Sequence, residues 1–428
     1  MSHDREGHFI GRRGDTISSR YEILSRLGIG TFGTVYSCLD KKHKVKVAVK
    51  VVRAVKRYVD AAKYEADILY DIAVKCQSKY FVDFYNAFSF RDFYTIVTEE
   101  LGDSLYSLLE HNNFIGLPLS TIRAIAYQLF DALSTLETQA HLIHTDLKPE
   151  NLLLKKPIYA RTKLGAASIF VPLEPQLKII DFGSATYEHK HHSSVICTRP
   201  YRPPEVILGF HWSYPADIWS AGCILVELFN GQTLFQTHDS LEHIALMERI
   251  LGPFPLSFAG KTRGTSFETY FTFPEKDDFT DTPFSVSCDV AYPVGSTSRH
   301  SINNVLHHPS LHSLLEHYPT FYSLISSLLR FHPNERLNAA EALRHPFFGA
   351  QGEQDNRIEL SEATPKADGA DFLLEHTKHT DDTDPDITLL NSRPDDGLIR
   401  GRRGNTLRTL QIMLMKRGPG GAVRGVRR

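Results

Sequence analysis

The chain has 428 residues, of which 42% are hydrophobic and 23% charged, with a net charge of −2 at pH 7. This is ordinary globular composition on a chain long enough for one large two-lobed domain with tails, and it gives no bulk reason to expect nucleic-acid or membrane binding. Cys38, Cys76, Cys197, Cys223 and Cys288 lie far apart with no C-x-x-C pair, which argues against a disulfide framework or a cysteine zinc site and suits a reducing compartment. No run approaches the ~18 apolar residues of a spanning helix, and the N-terminal MSHDREGHFIGRRGD lacks a signal-peptide core. An intracellular, soluble protein is expected.

Residues 1–20 read as a flexible N-terminal segment, polar and loose over 1–13. From Tyr21 the segments YEILSRLG, TVYSCLD and VKVAVKVV are rich in β-branched or aromatic residues and read as strands. Between the first two, Gly28, Gly30 and Gly33 form a G-x-G-x-x-G. Thr34-Val35-Tyr36 continues as strand instead of opening a helix, so the glycines fall at a hairpin tip where backbone amides can close over phosphates. A plain turn fits these residues equally well. Lys50 ends the VAVK run inside an apolar stretch, where a lysine needs an anionic partner. Ala61–Lys75 reads as a helix with Ile68, Leu69 and Ile72 on one side, and Glu65, a turn earlier, is the candidate partner. Tyr94–Leu101 reads as a buried strand stopping at two acids. Gly102 then releases the chain, where a linker between lobes would run.

Ser120 is placed to cap a helix whose apolar positions include Ile122, Ile125, Leu129, Leu133 and Leu136. The stretch His144–Asn151, HTDLKPEN, sets Asp146, Lys148 and Asn151 at offsets 0, +2 and +5. These are a base, a phosphate-neutralising cation and a metal ligand on one loop, the set that phosphoryl transfer needs. After a polar, Pro-containing insertion the strand LKII delivers Asp181-Phe182-Gly183, where an aspartate can hold Mg²⁺ against phosphate oxygens, although plain turns carry similar triplets. His189, His191 and His192 read as a solvated loop in preference to a metal site, because no carboxylate or cysteine stands at ligand spacing. Pro215–Gly231 is apolar around most of its circumference and reads as a fully buried helix, with Asp217 in its first turn free to tie down loop amides. Ser240–Leu251 is an amphipathic helix ended by Gly252 and Pro253, residues 253–300 are loop-rich, and helical text resumes at Leu311 and closes near Phe348. Residues 351–398 then carry 13 acids against 4 basic residues, and 400–428 carry 9 basic residues and no acid. Such blocks read as a disordered tail over 349–428, in which TLRTLQIMLMKR can form a short basic helix that touches the acidic segment or nucleic acid.

The order of these motifs is far more specific than any one of them. Residues 21–348 resemble a eukaryotic protein kinase domain. HTDLKPEN, DFGSATYEHKHHSS, TRPYRPPEVIL and, at Glu242–Gly252, EHIALMERILG resemble more narrowly the LAMMER, or CDC-like, branch of the CMGC group. The resemblance implies an α+β, two-lobed fold with a β-rich N-lobe over 21–101 and a helical C-lobe over 102–348. It implies ATP covered by the backbone of Leu27, Gly28, Ile29, Gly30, Thr31, Phe32, Gly33, Thr34 and Val35 and flanked by Ala48. Lys50, paired with Glu65, would hold the α and β phosphates. Thr98 would be a small gatekeeper, with Glu99 and Leu101 offering hinge backbone to adenine. Asp146 would orient the substrate hydroxyl, Lys148 would neutralise the γ-phosphate, and Asn151 and Asp181 would hold Mg²⁺. Glu205 and Arg336 resemble the ion pair that braces the end of the activation segment.

The same resemblance implies a Mg-ATP-dependent serine/threonine kinase, with tyrosine autophosphorylation as a family trait and basic, Arg/Ser-rich nuclear proteins as substrates. A monomer located in the nucleus, or alternatively the cytoplasm, is expected. Thr145 stands where many kinases carry an arginine that captures a loop phosphate, so activity independent of loop phosphorylation is expected. Two rivals differ in class. A kinase-fold scaffold usually lacks Lys50, Asp146 or Asp181, and all three are present; a cell-cycle kinase of the same group would not carry the LAMMER helix.

Overall fold

In a computed structural model, which describes residues 4, 6–190, 192–274, 287–295, 297–349 and 354–358, the strand-rich text folds into one antiparallel sheet. Its strands are β1 (Thr16–Ile17), β2 (Tyr21–Gly30), β3 (Gly33–Asp40), β4 (Val45–Val52), β5 (Phe84–Phe90) and β6 (Phe93–Glu99), in the order β1-β2-β3-β4-β6-β5. Helix α1 (Lys56–Lys75) crosses between β4 and β5, starting five residues before the expected Ala61. Because side chains alternate between faces, the register puts Val35, Lys50 and Ile96 in one row and Ser37, Ala48 and Thr98 in the next, on the face toward α1. The other face carries Tyr36, Val47, Val49, Val51 and Val97, all buried.

That second apolar face explains why residues 6–13 are not loose. Phe9, 5% exposed, covers it and meets Tyr36, Phe90 and Phe93 edge-on, with centroids 5.9, 6.0 and 5.4 Å apart. The Tyr36 hydroxyl donates to Phe9 O and accepts from the Gly11 N–H. A sheet with two apolar faces needs two covers, and one buried phenylalanine in polar text gives no periodic signal.

The helical lobe begins with α2 (Leu105–His111) and α3 (Leu119–Thr135). Ser120 is not the cap of α3; it lies inside the first turn, and the first amide, Leu119 N–H, donates to the Asp355 carboxylate at 2.7 Å. The cap therefore comes from beyond the expected domain end at Phe348, which local sequence cannot reveal. Arg357 completes the contact: its guanidinium lies 3.8 Å over the Phe229 ring and donates to Phe229 O and Leu117 O. The short strands β7 (Leu142–Ile143) and β8 (Leu152–Leu154) flank the catalytic loop, and the polar insertion is a hairpin of β9 (Tyr159–Leu164) and β10 (Ala167–Pro172). The Gly165 N–H at its tip donates to Arg357 O at 2.6 Å.

Strands β11 (Leu177–Ile179) and β12 (Thr186–Tyr187) bracket the Asp-Phe-Gly turn, and α4 (Pro204–Ile207) ends the segment after it. Helix α5 (Pro215–Asn230) is buried from Ala216 to Phe229, as its unbroken apolar text requires. Helix α6 (Ser240–Leu251) keeps the expected bounds, with Asp239 as its cap. Its motif residues are core: Glu242 accepts from Thr237 and Asn304, and burial pushes the His243 imidazole down to about 3. The expected loop region contains β13 (Phe254–Pro255), α7 (Leu256–Ala259), β14 (Phe271–Thr272), β15 (Ser287–Val290) and α8 (Arg299–His307), more structure than its Pro- and Ser-rich text suggests. The chain closes through α9 (Leu311–Leu315), α10 (Pro319–Leu328) and α11 (Ala339–Ala342). Among the described residues no helix is long and apolar enough to cross a membrane. The tail expected to be disordered over 349–428 is ordered at residues 354–358, where Asp355 and Arg357 dock on the helical lobe, whereas the rest of that expectation, the basic helix through Leu407 and its contacts lie outside the described residues.

The Asp355–Arg357 contact predicts a stability effect. Arg357→Ala should cost about 1–3 kcal/mol, the scale of a stacked cation with two carbonyl bonds, and lower the thermal midpoint by several degrees. An unchanged midpoint would show that the segment does not hold.

Candidate active site

The glycines of the hairpin have different jobs. A Cβ on Gly33 would lie 2.3 Å from Val51 O, so Gly33 is required by the close approach of β4. On Gly28 or Gly30 it would meet nothing within 4 Å, so these two leave open space beneath β2 and β3. Thr31 and Phe32 form the two-residue turn, flanked by the exposed Leu27 and Ile29. Thr34 is buried and Val35 stands in the Lys50 row.

Below them Lys50 Nζ donates to both Glu65 oxygens at 2.9 Å and lies 3.5 Å from Asp181. Burial disfavours its charge, but the two carboxylates outweigh that and hold its pKa above the usual lysine value. Burial likewise opposes the Asp181 charge, yet Lys50, His144 and Lys148 win and keep it below the usual carboxylate range. Asp181 has φ 62°, a left-handed conformation that turns its side chain back into the cleft, while Phe182 is fully buried against Phe81 and His144. The His144 ring bridges the two loops: Nε2 donates to Ile180 O and Nδ1 accepts from the Asp146 N–H.

The catalytic loop is anchored from underneath. The buried Asp217 carboxylate accepts from His144 N–H at 2.7 Å and Thr145 N–H at 2.9 Å, the role expected for an acid opening α5. Above it, Lys148 Nζ lies 2.7 Å from Asp146 Oδ2, and Asn151 Nδ2 donates to Asp146 O. That bond leaves the Asn151 amide oxygen free. Ile180 N–H donates to Asn151 O, which brings Asn151 beside Asp181. A carboxylate and an amide oxygen are hard donors suited to a divalent cation that also binds phosphate oxygens and water. Among the described residues no cluster of three or more His, Cys, Asp or Glu offers a closed metal cage, and His192 stacks on Trp212 at 4.3 Å. His191 lies outside the described residues.

The hinge is reinforced in an unanticipated way. Glu99 contributes a buried side chain, pinned by Lys178 at 2.6 Å and Lys155 at 3.2 Å. Among the described residues nothing accepts from Leu101 N–H, which is thus open to a ligand. Thr98 and Ala48 face each other across β4 and β6. Lys178 is legible on the same grounds as Lys50, a lysine within an apolar strand. Thr198 gives no such signal: its hydroxyl donates to Asp146 Oδ1 at 2.7 Å and its N–H to the same atom at 3.0 Å, a contact that sequence reasoning missed. Glu205 and Arg336 form the buried, two-toothed pair expected, at 2.6 and 2.7 Å.

Lys50, Glu65 and Asp181 therefore meet between sheet and helix, with Asp146, Lys148 and Asn151 on the adjoining loop, and comparison with known proteins assigns the chain to a family. The protein kinase domain model matches residues 21–348. The chain is 42% identical over 359 residues to serine/threonine-protein kinase AFC2 of Arabidopsis thaliana, covering 81% of this chain and 80% of that one. It is 40% identical over 355 residues to dual specificity protein kinase CLK1 of Mus musculus, covering 81% and 69%. A solved crystal structure of a kinase domain superposes with a TM-score of 0.73 at 33% identity, covering 81% of this chain and all of that one. With a motif order, a cleft and relatives that all coincide over the same residues, this chain belongs to the protein kinase family and, within its CMGC group, to the LAMMER serine/threonine kinases.

Proposed function

We propose that this kinase transfers the γ-phosphoryl group of Mg-ATP to serine or threonine in basic, Arg/Ser-rich nuclear proteins, with tyrosine autophosphorylation as a secondary activity. The kinase domain implies ATP and a divalent cation. Asp181 and Asn151 would hold Mg²⁺, which would supply neutralisation of phosphate charge. The chain's own residues do the rest. Lys50 holds phosphate oxygens, and the Glu65 pair keeps it aimed. Asp146 accepts a hydrogen bond from the incoming hydroxyl and orients it, exchanging the Thr198 contact for the substrate. Lys148, already next to Asp146, stabilises charge on the transferred group.

The observation that supports the substrate class is a group of acids near the catalytic loop, only partly offset by Lys148. Glu110, Glu150 and Glu227 surround Tyr106 of α2, and among the described residues none has an ion-pair partner. Glu150 is exposed in the catalytic loop itself. Burial pushes Glu227 up to about 7, although the Tyr201 hydroxyl donating to it at 2.6 Å opposes the shift. An arginine side chain at the exposed Glu110 and Glu150 would relieve their repulsion with the buried Glu227, and its planar fork suits carboxylates. Nuclear location rests on the substrates of this reading and is tested by imaging the full-length protein.

Radiolabel transfer should prefer an Arg-Ser peptide over a matched Lys-Ser peptide and over myelin basic protein, and Asp146→Asn should lower it by at least about 10²-fold; transfer without that preference discards the substrate class and keeps the kinase. Because Glu227 is neutral below about pH 7 and charged above it, the Arg-Ser preference should rise as pH goes from 6 to 8, by roughly several-fold, and flatten in Glu227→Gln. The sign for stability is opposite: a raised carboxyl contributes most below its unfolded value and loses that contribution as pH rises through 7. Finally, Thr98→Phe should close space behind the Ala48–Thr98 pair and weaken bulky ATP-competitive inhibitors more than ATP itself; equal inhibition of both forms would place those inhibitors elsewhere.

A further inference from the structure

The structure has a link between α1 and the activation segment that uses no phosphate. Tyr187 sits on β12, which pairs with β7, the strand entering the catalytic loop: Thr186 faces Ile143 and Tyr187 faces Leu142. From there its hydroxyl reaches α1 and donates to Asp71 Oδ2 at 2.6 Å. Lys75, one turn further along α1, lies 2.5 Å from the same carboxylate and 5.7 Å from the Tyr187 ring centroid. Lys190, further along the activation segment, sits 4.8 Å from the Tyr187 ring and 5.3 Å from the ring of Tyr64, the neighbour of Glu65. Tyr64 and Asp71 are seven residues apart, hence on one face of α1 two turns from each other. The contacts therefore grip α1 on both sides of the turn that follows Glu65.

Position 145 shows why such a grip matters. Thr145 has no charge with which to capture a loop phosphate; it is buried, its hydroxyl donates to Ser184 O, and its carbonyl accepts from Cys197 N–H. The activation segment is thus tied to the catalytic loop by hydrogen bonds that need no phosphate, and Tyr187 and its neighbours add a tie to α1. Burial pushes the Tyr187 hydroxyl pKa up, with Asp71 adding to the shift, so the tyrosine stays a donor; Asp71 is held down by Lys75 first and by Tyr187 next, so it stays an acceptor.

We propose that Tyr187 and Asp71 are positioning residues: their hydrogen bond, flanked by Lys75 and Lys190, holds α1 so that Glu65 stays on Lys50 without loop phosphorylation. This rests on the kinase activity, and the test separates the two. Phosphatase-treated wild type should keep its rate. Tyr187→Phe and Asp71→Leu should each lower kcat/KM for ATP by roughly tenfold, the size of one charge-assisted hydrogen bond, with little change in thermal midpoint. Their combination should be no worse than either alone, because both remove the same contact. Asp71→Asn, which keeps an acceptor oxygen, should recover most of the rate. Amide exchange over residues 56–75 should quicken in Tyr187→Phe and Asp71→Leu but not in Asp71→Asn, a readout that does not need turnover. Wild-type exchange and rate in Tyr187→Phe, additive losses in the double variant, or a wild type inactivated by phosphatase would each overturn the proposal. If no form transfers phosphate, with Lys50→Met as the blank, the exchange pattern alone decides whether the link holds α1.

Discussion

A lysine ammonium under a sheet cannot stay charged without carboxylates beside it, and that constraint organises this molecule. Lys50 is placed by β4, but Glu65 comes from α1 and Asp181 from the turn after β11, so three separate elements must arrive together. Leaving the lysine alone in that position would cost several kcal/mol, enough to consume much of a domain's net stability. The ion pair is therefore less a source of stability than a check on geometry. The lobes are productive only when α1 is in and the Asp-Phe-Gly turn is in, with Phe182 buried against Phe81 and His144.

The second anchor works by the opposite route. Asp217 is a buried carboxylate that meets two backbone amides in place of a cation, fixing the turn at His144 and Thr145 from which Asp146 projects. Burial raises its pKa while His144 and the two amide bonds oppose that shift. The Glu205–Arg336 pair does a similar task at the end of the activation segment, with Arg336 also stacked 4.9 Å from Trp219 of α5. The substrate loop, the activation segment and the helix bearing Asp217 are thus cross-tied by buried polar groups, each with its partners satisfied. Such networks hold one arrangement because any half-formed version leaves an unpaired polar group in a dry place.

Much of this is readable in the text of the chain. The alternation of β4, the apolar circumference of α5 and the offsets in HTDLKPEN are local properties, set by the periods of strand and helix and by the needs of the chemistry. Asp146, Lys148, Asn151 and Asp181 stand out because one loop or one strand end carries each of them in a fixed spacing. The Glu65 partner is inferred from order along the chain and is met at 2.9 Å. Contacts between distant segments are the part that cannot be read. Phe9 closes the outer face of the sheet, Thr198 bonds Asp146 across 52 residues, and Asp355 caps α3 from 236 residues away.

By itself, then, the sequence determined which residues are candidates for phosphoryl transfer, the strand and helix segments outside the insertion and residues 253–300, and the family to which the chain belongs. Tertiary structure alone decided how the site is held: that Gly33 answers to the backbone of β4 while Gly28 and Gly30 leave room, that Glu99 is locked by Lys178, and that Tyr187 reaches Asp71. The reason is physical. Periodicity and local spacing encode what a residue does within a few turns of its own backbone, whereas a hydrogen bond between segments depends on a register and a packing angle that no short stretch of text contains.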